Sequence, residues 1–568
     1  MQRPLQTAFG LLLAMAAGVQ QAGERPLAPL LEGIGPLHFA ISTEAPKAQR
    51  YFDQALTLAF GFNHAEAVRS FRAAAAIDPT CGICFAGAAL ALGPNINAPM
   101  GEDAVAPAWE AIGMALAQKP HETERERDYI DAIAARYSAT GADRAALDAA
   151  YAEAMRVLAE KHPDDLNART LYAEALMDLS PWDYWQADGS PKAHTAALVE
   201  ALEHVLATDP NHPGAAHLYI HAMEQFTPEK AEAAADRLGD LVPVAGHLVH
   251  MPSHIYLRLG RYEDAVKANQ RAAAADEDYI AQCNAQGLYP AAYYPHNLHF
   301  LWYAAMMEGR RELAVATAER LSERISPEMA KAMGPIQAYL PVPTFTFVRF
   351  GLWNEALAVP AVAEALGLPQ CGAPAGPKEE LRQNGEVSTC LSRALPYAEA
   401  MRHYGRGLAF ASKGELAAAQ AELEALEAIR GSGELERVVL RRADISDTLA
   451  GIAANLVRAG MAKQRGDGDE EIKQLREALA AQLSLPYSEP PLWHYPIRQS
   501  LGTALLRHGD AEAAAEVFAA DLGEFPENGW SLHGLSQALA GRGEANAAVQ
   551  ARQEAAWRNA DIEPSTGW

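Results

Sequence analysis

The stretch WSLHGLSQALAGRGEANAA, residues 530–548, decides how the chain is read. Trp530, Gly534, Gly543 and Ala548 follow one another as a helix, a turn and a second helix require, and Pro526 closes the unit before. The same grammar recurs upstream. At Tyr51, Ala55, Ala67, Phe71, Ala74 and Pro79, the aromatic Phe71 and small Ala74 share one helical face and Pro79 stops the helix. It returns around Gly260-Arg261-Tyr262 with Ala265 and Ala272, around Gly309, around Gly351 with Ala356, around Gly414 with Ala419, and around Gly509 with Ala514. Small residues at these points let paired helices approach closely, and each pair leaves an apolar face that only a neighbour can cover.

This pattern resembles the tetratricopeptide repeat (TPR), with about nine or ten helix pairs over residues 48 to 560. The stretch from Trp530 to Ala548 is about two residues longer than the family pattern, so its turn is expected to be expanded. Ala, Leu and Glu dominate and alternating strand patterns are nearly absent, which favours helices throughout. The resemblance implies an all-α, TPR-type helix-pair solenoid, a right-handed superhelix whose first helices line a concave groove. Residues 212–310 also resemble exported bacterial TPR proteins with His-rich repeat helices, a likeness that carries no reaction with it.

Composition bounds the function. Of 568 residues, 49% are hydrophobic and 21% charged, which excludes a disordered, collagen-like or multispanning membrane chain. The 47 basic against 72 acidic residues give a net charge of −25, a surface that repels a phosphate backbone, so no nucleic-acid partner is expected. Arg3 precedes an apolar run from Ala8 to Ala17, with small and polar residues ending near Ala22. That is the layout of a signal peptide, too short to span a bilayer comfortably. The reading is therefore a signal peptide over 1–22, a secreted or periplasmic mature chain and no membrane span after cleavage. A lead-in follows over 23–47, then an array over 48–360 with its His-rich centre at 212–310. A loop insertion over 361–395, C-terminal repeats over 396–560 and a tail over 561–568 complete the chain.

Export makes disulfides plausible. Cys371 and Cys390 flank a Gly-, Pro- and Lys-rich segment that a bridge would tether. Cys81 and Cys84 have redox-motif spacing without the surrounding strand and helix pattern of a thioredoxin, so a structural disulfide or two buried small residues is expected there.

The histidines set this chain apart from a generic solenoid. Eight of its 18 lie between His212 and His299. His217 and His221 are one helical turn apart, after a Pro213 that can start the helix. His247, His250 and His254 form a second stripe, with Pro252 tolerable only in a first helical turn; His296 and His299 form a third. Aligned on the turn that follows each helix, His250 and His299 both lie ten residues before a glycine (Gly260, Gly309), and His247 and His296 both lie thirteen before. His254 lies six before Gly260 and His221 six before Thr227, while Tyr303 takes that place in the third segment. Three adjacent helices thus carry His on one register.

Convergent neutral imidazoles bind transition metals such as copper, zinc or iron, while magnesium and calcium prefer oxygen. The leading ligands are His217, His221, His250, His254 and His299, with His247 and His296 beside them. Open coordination positions would suit a metal-dependent enzyme in which Glu224 or Tyr303 handles a proton. The rival reading is a non-catalytic scaffold whose groove binds a peptide, protein or small-molecule ligand against these residues and their neighbouring aromatics.

Overall fold

In the computed structural model, residues 27–564 are described except 141–142, 284–288, 327–328, 331–333, 366–394, 439 and 441–444. The signal segment and the Cys371 and Cys390 candidates fall outside them. The described residues are all-α, with two isolated bridges and no strand among them.

The chain divides into two compact units after Val205. In the first, α1 (Pro46–Phe60), α2 (His64–Ile77), α3 (Gly82–Leu92), α4 (Glu102–Gln118), α5 (Glu124–Ala134), α6 (Arg144–Lys161) and α7 (Leu166–Asp178) pack largely on their sequence neighbours, as repeated helix pairs must. Phe52 and Phe71 meet edge to face at 5.2 Å between the fully buried Ala55, Ala67 and Ala74. The sequence grammar here is core packing. Cys81 and Cys84 are joined by a disulfide at the start of α3. Buried Arg136 sits at the centre of this unit with Asp178 at 2.5 Å, Asp148 at 3.5 Å and the Tyr151 ring at 4.6 Å.

After α8 (Thr195–Thr208), the second unit continues with α9 (Pro213–Met223), α10 (Pro228–Leu241), α11 (Gly246–His250), α12 (Pro252–Arg258), α13 (Tyr262–Cys283), α14 (Tyr294–Met307) and α15 (Arg311–Glu323). Pro213 opens α9 and Pro252 opens α12, so each proline occupies a first turn where its missing N–H costs little. Gly260 and Gly309, the glycines that align the histidines, and Gly351 after them all have φ between +66° and +75°. That left-handed conformation ends a helix and is cheap only for glycine, so the three turns are equivalent.

The C-terminal repeats do more than extend the array. Trp530 is buried and its indole N–H donates to the Met306 carbonyl at 2.9 Å. Asp561 accepts from the backbone N–H groups of Arg311 and Glu312, capping α15. Arg349 donates to Gln499 at 2.7 Å. In a strictly linear solenoid each repeat would touch only its neighbours; here residues 499–561 brace 306–349. Gly309 permits part of this packing, since a Cβ there would lie 3.2 Å from the Ala560 Cβ.

Candidate metal centre

The three His-bearing segments bring their side chains together inside the second unit. His217, His221, His247, His250 and His254 are each at most 4% exposed, and His296 is half-buried. His217, His221 and His247 form one group whose ligand atoms all lie within 4.8 Å of one another. His250, His254 and His296 form another, and Glu224 makes a third with His221 and His254. An open binding groove would leave such rings exposed to solvent; these are enclosed.

The helices meet with a stagger. His217 Nε2 lies 3.2 Å from His247 Nε2, and the His250 and His296 rings are 5.0 Å apart. Each of these contacts joins the position ten before one turn to the position thirteen before the next. Equivalent positions also meet, since the His221 and His254 rings, each six before its turn, lie 5.3 Å apart. His299 is set apart from the cluster. It stacks on Trp302 at 5.1 Å and meets Tyr339 at 5.3 Å, so the next repeat offers it an aromatic ring in place of a histidine. His299 belongs to none of the groups formed among the described residues.

Tyr303 borders a cavity of about 130 Å³ that Glu489 shares, lined also by Leu257, Arg258, Tyr487 and Trp493. Burial, reinforced by Asp521, pushes its phenol pKa up and keeps it protonated. Glu224, in contrast, lies within the cluster. Its Oε2 is 2.6 Å from His254 Nδ1 and 3.7 Å from His221 Nδ1. Glu489, which the sequence pattern did not mark, approaches His254 Nδ1 at 3.5 Å from a segment more than two hundred residues away.

The surrounding hydrogen bonds fix the rings. Asn269 Nδ2 donates to the Ala265 carbonyl at 2.7 Å, which turns its Oδ1 toward His250. His250 Nδ1–H then donates to that oxygen at 2.6 Å, leaving Nε2 with a lone pair. That lone pair points at His254 Nε2, 3.0 Å away. The His247 backbone N–H donates to the Tyr289 hydroxyl, which donates to Asp276; Asn297 donates to the other Asp276 oxygen. Gly246 admits this network, because a Cβ there would collide with Asp276 Oδ1 at 1.9 Å.

Burial pushes the imidazole pKa values of His221, His247 and His250 down, and neighbouring imidazoles push in the same direction. These rings are neutral near pH 7, the form that coordinates metals. Burial also lowers His254, but the Glu224 carboxylate outweighs it and raises that ring to about 9. In turn, burial raises Glu224, and His254 more than offsets this and lowers it.

No family model matches the chain, and no curated protein matches it. Among solved structures, it is similar to a chain of the Naa15/Naa10 assembly bound to HypK-THB, at 13% identity over 88% of this chain and 68% of that one, with a TM-score of 0.22. It is also similar to the human IFIT1 dimer with m7Gppp-AAAA, at 10% identity over 85% of this chain and 90% of that one, with a TM-score of 0.32. The human IFIT1 dimer with PPP-AAAA matches at 10% identity over 92% of each chain, with a TM-score of 0.28. The molecules named with those proteins are theirs.

No helix among the described residues is long and apolar enough to cross a membrane.

Proposed function

We propose that this helical-repeat protein holds a transition metal in its buried histidine cluster, and that the metal is the basis of its function. One observation carries the reading. His250 Nε2 and His254 Nε2 face each other at 3.0 Å, while Asn269 holds the His250 proton on the other nitrogen and Glu224 faces the other nitrogen of His254. Two lone pairs at that distance repel, so a cation belongs between them: either a proton on His254 or a metal ion. Metal–nitrogen bonds of about 2.0–2.1 Å place two ligating nitrogens roughly 3.0–3.4 Å apart, which matches both the 3.0 Å pair and the 3.2 Å pair of His217 and His247. A proton satisfies only one pair of nitrogens. Each pair here has a third imidazole within reach, as a metal requires.

Copper, zinc and iron all suit imidazole donors. In this reading the protein groups have separate tasks. Asn269 fixes the His250 tautomer, Glu224 orients His254 and His221, and the Asp276 network holds the start of α11. A metal with three protein ligands keeps a position open for water or another small ligand, the arrangement of catalytic sites. We also propose that the protein is exported. The apolar N-terminal run and the Cys81–Cys84 disulfide both support an oxidising compartment.

Untagged protein purified without chelators tests the reading by elemental analysis. At least one equivalent of transition metal is expected, with a lower content in His250→Ala and full retention in His299→Ala, each variant checked for helix content. A metal-free protein that cannot be loaded with copper, zinc or iron overturns the reading and leaves a non-catalytic scaffold, whose ligand would bind elsewhere than these enclosed rings.

A further inference from the structure

The imidazoles form two sets that share no member. His217, His221 and His247 make the first, and His250, His254 and His296 the second. The sets abut. Across them, the His221 and His254 rings are 5.3 Å apart and the His247 and His250 rings 5.7 Å, comparable with the spacings inside each set. Glu224 reaches one member of each set through a single carboxylate oxygen. Three nitrogens per set is the donor number of a metal site with an open position.

We infer that the centre is dinuclear and takes two copper ions, one in each three-histidine set, held as a copper(I) pair that binds dioxygen. This rests on the metal reading above. Charge selects the ion. The six imidazoles are neutral donors, and Glu224 and Glu489 bring carboxylates against them. Glu489 also faces the Arg258 guanidinium at 3.7 Å, which leaves Glu224 as the net counter-charge. Two divalent ions would leave three positive charges uncompensated in a buried site, whereas two monovalent copper ions leave one. Burying uncompensated charge is among the largest penalties in a protein interior. Among metals that imidazole accommodates, copper has a stable monovalent state.

The walls limit what can enter. The Phe300 ring lies 4.4 Å from the His254 ring and 4.5 Å from the His250 ring, and Tyr293 lies 4.9 Å from His247. The proposed ligand between the ions is accordingly a diatomic molecule. Each copper(I) would give one electron, so that dioxygen accepts two in total, reaching the oxidation level of peroxide while both ions become copper(II). No further reductant is needed for that step.

The test starts from metal-free, untagged full-length protein loaded with copper(I) under anaerobic conditions. Two coppers per chain are expected in the parent, and one in each of His217→Ala and His296→Ala, where the copper kept by the untouched set shows that the fold has survived. On exposure to air, the parent should take up one dioxygen per chain. Its copper(II) should be silent in electron paramagnetic resonance through coupling, and visible after denaturation. One copper per chain, or two copper(II) signals without coupling, overturns the dinuclear copper proposal and leaves the metal reading standing. Two zinc ions with refusal of copper(I) overturns the choice of metal. Failure to bind any metal overturns both readings.

Discussion

Two buried polar centres in this molecule solve the same problem in opposite ways. In the first unit, Arg136 is 1% exposed, and protein groups meet it on every side: Asp178, Asp148, the Pro94 carbonyl and the Tyr151 ring. In the second unit, five imidazoles are buried nearly as deeply, yet their nitrogens converge on one another, with Glu224 and Glu489 against His254. A charge neutralised by its own chain is architecture. A cluster of converging donors is, on the proposed reading, where a cation from outside binds.

The sharpest way to break that contrast is to remove the internal cation. Arg136→Met leaves the buried Asp178 without its guanidinium partner, while Asp148 keeps Arg144, and the expected loss is about 3–5 kcal/mol in chemical denaturation of the first unit. Metal content of the folded variant should match the parent. Removing the metal should do the reverse. Chelation is expected to lower the unfolding temperature of the second unit, by the equivalent of about 3–4 kcal/mol where the metal is present at 100 to 1,000 times its dissociation constant, and to leave the first unit unmoved. Calorimetry with and without chelator reads both units.

Smaller effects sharpen it. Asn269→Ala frees the His250 tautomer and should weaken metal binding by about 10–100-fold, with Asn269→Asp restoring an acceptor and most of the affinity. In the first unit, Glu122 accepts the N–H groups of Gly82 and Ile83, and burial, with repulsion from Glu126, raises its carboxyl to about 7. A raised carboxyl favours the neutral folded form, so its contribution is present below the unfolded value of 4.5 and is lost as pH rises through about 7. Glu122→Gln should therefore be more stable than the parent at pH 8, by on the order of 1 kcal/mol, with no such advantage at pH 4. Smallest of all is His299→Ala, expected to change metal affinity less than about two-fold, because that ring faces Trp302 and Tyr339.

The helical pairing was legible because it rests on local signals: Phe71 with Ala74, proline at helix starts, and glycines whose left-handed turns fixed the register. That register brought six of the seven candidate histidines to one cluster. His299 lies against Trp302 and Tyr339 instead, contacts set by the packing of the next segment that a one-dimensional alignment does not contain. Tyr303 lines a cavity together with Glu489, a neighbourhood the register does not specify. Glu489 and Asn269 carry no periodic signal. Their roles come from long-range packing in one case and from a neighbouring helix in the other, and only the folded chain brings them to His254 and His250. The return of residues 499–561 onto 306–349 was equally silent, because a repeat pattern specifies contacts with the next repeat alone.

The central claim is that the cation between His250 and His254 is a metal. Anomalous diffraction from crystals of untagged protein, collected on both sides of the copper, zinc and iron absorption edges, tests it most directly. The account predicts a peak bounded by the side-chain nitrogens of His250, His254 and His296. Anomalous density absent from the cluster, in crystals grown with those metals supplied, would contradict it and assign the 3.0 Å contact to a shared proton.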